Sequence, residues 1–105
     1  MKLTLARIAE FVSAEGGFDP EHLVQGYSID SRTVRAGQLF FAVKGERLDG
    51  HDFVELALGN GAVAAVVRKD QLNRYPRETR LLAVDDTLVA LQTWLRRCGS
   101  FGARR

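Results

Sequence analysis

The chain has 105 residues, 46% of them hydrophobic and 27% charged, which fits one globular domain with a real core. No apolar run reaches about 18 residues, which excludes a transmembrane helix, and the single cysteine, Cys98, excludes an internal disulfide or an all-cysteine metal site. Four of the 15 basic residues (Arg96, Arg97, Arg104 and Arg105) lie in residues 94–105, so residues 1–93 hold 11 bases against 13 acids and offer no basic stripe for a nucleic acid.

Arg7 and Glu10 interrupt the start too early for a secretory signal, so a cytoplasmic protein with no membrane partner is expected. Residues 4–14 predict a helix. Thr4 is a good N-cap, and Leu5, Ile8, Ala9 and Val12 recur at helical spacing, with Arg7 and Glu10 on the other face. Gly16-Gly17 is expected to end it, and residues 18–25, with Pro20, read as a connector. Residues 27–29 predict a short strand, Asp30-Ser31-Arg32-Thr33 a polar loop, Ala36-Gly37 a turn, and residues 39–43 a second, apolar strand.

Residues 45–50 form a second polar loop. Asp52 is then expected to cap a helix reaching Leu58, with Phe53, Leu56 and Ala57 on its apolar face and Asn60-Gly61 as its stop. Residues 62–67 are a continuous apolar run, the mark of a strand buried on both faces. Residues 68–75 read as a short helix or a loop broken by Pro76. Residues 81–84 predict another strand, and Asp85-Asp86 start a last helix. Strands alternating with helices predict an α/β domain of two or three layers with a largely parallel sheet.

The two polar loops end neighbouring strands, which makes them a candidate ligand rim. Ser31, Arg32, Thr33 and Arg47 could supply hydroxyl and cationic donors to an anionic group. Gly45 and Gly50 allow close approach of the backbone. The same side chains also have plainer readings: arginines solvated on loops, hydroxyls closing turns, and Asp30 bonded to its own loop. Asp49, His51 and Asp52 are metal-ligand types, but they fit better as a turn, a bond that shapes the loop and a helix cap. No metal site and no catalytic residue is assigned, and Cys98 has no histidine at a spacing that suggests a nucleophile.

Four segments, taken in order and spacing, carry a resemblance. They are Ile29-Asp30-Ser31-Arg32, residues 37–47 with Lys44-Gly45-Glu46-Arg47 at their end, Asp49-Gly50-His51-Asp52-Phe53, and residues 61–67. Together they closely resemble the N-terminal domain of the Mur ligases, the ATP-dependent amide-bond ligases that build the peptidoglycan stem peptide. The resemblance covers residues 1–93. The residues from Lys44 to Phe53 lean to the branch that adds D-alanyl-D-alanine to a UDP-N-acetylmuramoyl-tripeptide. The branch that adds the third amino acid shares most of the pattern and is retained, as is a non-enzymatic α/β module without a ligand.

The resemblance implies that such a domain holds the UDP end of a UDP-N-acetylmuramoyl-peptide, while a central domain binds ATP and magnesium and a C-terminal domain binds the incoming amine. It implies that Ile29 and Ser31 sit at the uridine and diphosphate end, and that Glu46, Arg47 and Leu48 line the same site from the second loop. No G-x-x-x-x-G-K-[ST] segment occurs in this chain, so no cofactor is assigned to it. It is expected to be one domain of a larger ligase, inactive as a ligase by itself. Residues 94–105 depart from the family, being glycine-broken and free of acids. They are expected to leave the helix as a basic tail, with a shifted reading frame near Thr93 as one explanation and a disordered end as the other.

Overall fold

The computed structural model describes residues 3–16, 18–45, 47–76 and 80–98. The first strand, β1 (Leu3–Thr4), is two residues long and runs straight into the first helix, α1 (Leu5–Val12). The Thr4 hydroxyl accepts from the Arg7 N–H at 3.3 Å, as its capping role predicts. Leu5, Ile8, Ala9 and Val12 are buried. The expected stop at Gly16-Gly17 is corrected: α1 closes at Ser13, which takes the left-handed conformation (φ 58°) and donates its N–H to the Ala9 carbonyl. Gly17 lies outside the described residues. The connector contains an unforeseen strand, β2 (Leu23–Val24), antiparallel to β1.

The main sheet has four parallel strands in the order β3 (Gly26–Ser28), β4 (Gln38–Phe41), β5 (Ala64–Arg68) and β6 (Leu81–Val84). Tyr27 stands opposite Leu39, Phe40 opposite Ala65 and Val66 opposite Leu82. Successive side chains point to opposite faces, so the apolar runs feed two cores. Leu39, Phe41, Ala64, Val66, Leu82 and Val84 pack under α1 and a helix α3 (Thr87–Cys98). Phe40, Ala42, Ala65, Val67 and Leu81 pack on the other face with Val54, Ala57 and Leu58 of α2 (Val54–Gly59) and with Tyr75. This settles the layer count at three.

The outer edge of β6 is covered: Glu15 and Ala83 exchange backbone hydrogen bonds of 2.9 and 2.6 Å. Residues 68–75 resolve into a 3₁₀ helix over Lys69–Arg74. Asp52 does not cap the helix expected after the second loop. A 3₁₀ turn over Gly50–Phe53 precedes α2, and its cap is Asp49, whose carboxylate accepts from the His51 N–H. Asp52 instead pairs with Arg74.

The helix also fails to stop at residue 93. Asp86 caps α3 by accepting from the Leu88 and Val89 N–H groups at 2.9 and 3.2 Å, and α3 runs through Cys98. Trp94 is fully buried, and its ring meets Tyr27 and Phe41 edge-on at 6.0 Å. Arg96 and Arg97 sit in the last turn, where cations complement the helix dipole, and Arg97 also lies 5.5 Å from the Phe11 ring. Residues 94–98 therefore continue the domain. Residues 99–105, with the rest of the expected tail, lie outside the described residues. Among the described residues no helix is long and apolar enough to cross a membrane.

Candidate functional site

The carboxyl ends of β3 and β4 open into a cleft of about 800 Å³. Such ends are where open parallel sheets bind ligands. One wall is the loop after β3, with Ile29, Asp30, Ser31 and Arg32. The other is the loop after β4, with Val43, Gly45, Arg47, Leu48 and Gly50, and Phe40, Phe53 and Leu56 complete the lining. The two polar loops predicted from the sequence thus meet across one cavity.

The first loop is built from its own side chains. The Asp30 N–H donates to Ser28 Oγ at 3.0 Å, and Ser28 Oγ donates back to the Asp30 carbonyl at 3.1 Å. Asp30 accepts from the Arg32 N–H at 2.9 Å and from its guanidinium at two further points, each 3.1 Å. These bonds from Arg32 hold the Asp30 carboxyl below its ordinary pKa. Arg32 is 82% exposed, so this ion pair fixes geometry more than it adds stability. Thr33 donates to the Asp30 carbonyl and does not line the cleft. Ser31 is buried at the wall, and its carbonyl accepts from Asn60 Nδ2 at 2.8 Å.

The second loop is a short antiparallel turn. The Gly45 N–H donates to the Leu48 carbonyl at 2.7 Å and the Gly50 N–H to the Val43 carbonyl at 3.0 Å. The glycine at 50 serves the protein's own backbone: a Cβ there would stand 2.8 Å from the Val43 nitrogen. Gly45 meets no such crowding, its nearest neighbour being the Leu48 carbonyl at 3.5 Å. Arg47 is exposed on the cleft and makes no ion pair with any described residue. Glu46, expected beside it, lies outside the described residues.

Behind this loop sits His51, only 2% exposed. Its Nε2 accepts from the Arg68 N–H at 3.0 Å. A backbone N–H can only donate, so the ring proton is on Nδ1, which donates to Asp49 at 2.8 Å. The His51 carbonyl accepts from the buried Tyr75 hydroxyl. One residue therefore ties the second loop to the end of β5 and to the 3₁₀ helix beyond it. Burial raises the Asp49 pKa, but hydrogen bonds from the His51 N–H and ring outweigh this and leave the carboxyl below its ordinary value. His51 and Asp49 are not among the residues that line the cleft. Among the described residues no group of three or more His, Cys, Asp or Glu is placed to hold a metal.

In the sequence, Phe40, Phe41 and Phe53 are core candidates before they are base-stacking candidates. Phe40 is indeed buried while also forming a wall. The available signal was that Phe53 and Leu56 fall one helical turn apart just after a glycine-bounded loop. Chemically, an apolar floor with, at its rim, a hydroxyl and a guanidinium that pairs with no described residue suits a flat ring joined to an anion.

Comparison with known proteins gives the family. Residues 23–97 match the family described as "Mur ligase family, catalytic domain". The chain is 40% identical over 95 residues to the UDP-N-acetylmuramoyl-tripeptide–D-alanyl-D-alanine ligase of Bacillus subtilis, covering 88% of this chain and 20% of that protein. It is 40% identical over 87 residues to the UDP-N-acetylmuramoyl-L-alanyl-D-glutamate–2,6-diaminopimelate ligase of Geobacter metallireducens, covering 83% and 16%. Among solved structures, MurF from Acinetobacter baumannii superimposes with a TM-score of 0.75 at 28% identity, over 89% of this chain and 20% of that one. MurF from Thermotoga maritima, solved with ADP, gives 0.59 at 32% identity over 73% and 17%. The chain thus spans about a fifth of the length of the relatives it matches.

Proposed function

The chain belongs to the Mur ligase family, and on that premise we propose that it is the domain that receives the UDP end of a UDP-N-acetylmuramoyl-tripeptide in a ligase that joins D-alanyl-D-alanine to it. The observation that carries this reading is the cleft, whose two loops bring Ser31 and Arg47 over an apolar floor. The uracil ring would lie against Phe40, Val43, Phe53 and Leu56, with Ile29 and Leu48 as its lips. The diphosphate would take the Arg47 guanidinium and the Ser31 hydroxyl, the donor types that bind phosphate oxygens best. Arg32, tied to Asp30 at the rim, would add a second positive charge. Glu46 is assigned to the same wall by the family resemblance alone, and Thr33 to the support of its loop. Gly45, Asp49, Gly50 and His51 shape the second loop.

ATP and magnesium would supply carboxylate activation in the intact ligase. The residues of this chain do not fit them, since they form no P-loop and, among those described, no metal-holding cluster. The chain is accordingly read as a substrate-binding domain of a cytoplasmic enzyme, inactive as a ligase by itself, whose central and C-terminal domains are its partners. The diaminopimelate ligase is the second reading, because a relative of that type is equally identical over a similar span.

The test is a titration of the 105-residue chain with UDP-N-acetylmuramoyl-tripeptide. Saturable binding is expected, weakened more than about tenfold in Arg47→Ala, the size of a lost charge-assisted hydrogen bond, and less in Ser31→Ala. A folded sample that shows no binding at millimolar ligand refutes the reading and leaves a non-enzymatic module.

A further inference from the structure

The turn that closes α2 touches the β3–β4 connection at two independent points, one of them on the first wall of the cleft. Asn60 Nδ2 donates to the Ser31 carbonyl at 2.8 Å, across 29 residues of sequence. Beside it Gly61, at φ +118°, lies against the β3–β4 connection, where a Cβ would stand 3.0 Å from the Ala36 nitrogen. Only glycine allows both that dihedral and that approach. The second wall is held from the start of the same segment, through His51, Asp49 and the Arg68 N–H. Neither Asn60 nor His51 lines the cleft.

The remaining side-chain bonds of the first loop, among Ser28, Asp30, Arg32 and Thr33, are all local. They set its internal shape and leave its place relative to the second loop open. Among the described residues, the bond from Asn60 is the one side-chain hydrogen bond that ties this loop to a distant part of the chain.

We propose that residues 51–61 frame the cleft and that Asn60 is a positioning residue for the Ser31 wall. It touches no ligand. It fixes the Ser31 carbonyl, and with it the hydroxyl of the same residue, at the separation from Arg47 that the bound group requires. This rests on the reading of the cleft as a UDP site.

UDP-N-acetylmuramoyl-tripeptide is titrated by heteronuclear NMR into the 105-residue chain and its Asn60→Ala, Ser31→Ala and doubly substituted forms. Asn60→Ala is expected to raise Kd about fivefold to tenfold, the size of one hydrogen bond. That factor is expected to shrink toward one when Ser31 is already alanine, because the two act through one contact. A residue that merely stabilised the fold would lower the thermal midpoint and leave the Kd of the folded protein unchanged. An unchanged Kd, or the same factor in both backgrounds, overturns the proposal. If the unsubstituted chain does not bind, the UDP reading falls, and positioning is judged without ligand. The Ser31 and Arg32 amides must then shift in Asn60→Ala while those of β6 stay, and unmoved Ser31 and Arg32 amides overturn it. Should Asn60→Ala not fold, Asn60→Asp, which keeps the shape and lacks the donor, is read in the same way.

Discussion

His51 is buried, yet every polar atom of its ring is used: Nδ1–H meets Asp49 and Nε2 meets the Arg68 N–H. Replacing it with phenylalanine keeps volume and strands both partners, so His51→Phe is expected to lose about 2–3 kcal/mol of stability in urea unfolding, the cost of leaving buried groups unpaired. His51→Gln retains an acceptor for Arg68 and should lose less; equal losses would mean the Arg68 bond contributes nothing. Asp49 adds a pH dependence of definite sign. Its folded pKa is depressed from 3.8, so its contribution is complete above that value and disappears as the pH falls through the lower folded one. The thermal midpoint should therefore drop more between about pH 5 and about pH 2 in the unsubstituted chain than in Asp49→Asn. Parallel curves for the two proteins would contradict this.

At the level of elements, α3 separates what local sequence can say from what packing decides. The glycines and arginines after residue 93 read locally as a helix end, but Trp94 fills the space between Tyr27, Phe41 and α1, and that burial carries the helix on to Cys98. Trp94→Ala is expected to cost about 3–5 kcal/mol, as for other large-to-small changes in a core; a loss under about 1 kcal/mol would place the ring outside the core. The strands β5 and β6 were legible because two-sided burial leaves unbroken apolar runs in residues 64–67 and 81–84, and α1 was legible from its spacing and its Thr4 cap. Ends were harder: Asp49 and Asp52 are both good caps, and only the placement of His51 and Arg74 selects between them. The two loops of the site were legible through their donors. Its floor was not, because Phe40 serves core and cleft at once, nor was Asn60, whose pairing with Gly61 reads as a helix stop and gives no hint of the Ser31 carbonyl it reaches.

Over the whole molecule, a ligand that binds only the folded state must stabilise all of it. The cleft draws on β3, β4 and α2, and these are locked to the rest by a single sheet with a core on each face, so ligand binding and global unfolding are coupled. At a ligand concentration about a hundred times Kd the gain is about 2.7 kcal/mol, on the order of 10 °C in thermal midpoint for a domain of this size. UDP-N-acetylmuramoyl-tripeptide should produce that rise, and UDP a smaller one if the sugar peptide adds contacts. ATP with magnesium at the same concentration should leave the midpoint unmoved, because this chain has no G-x-x-x-x-G-K-[ST] segment and, among the described residues, no metal-holding cluster. A rise with ATP–magnesium equal to that with the UDP-sugar peptide would mean that the cleft takes nucleotides by their phosphates alone. The pairing of apolar floor and cationic rim would then carry no selectivity for uridine.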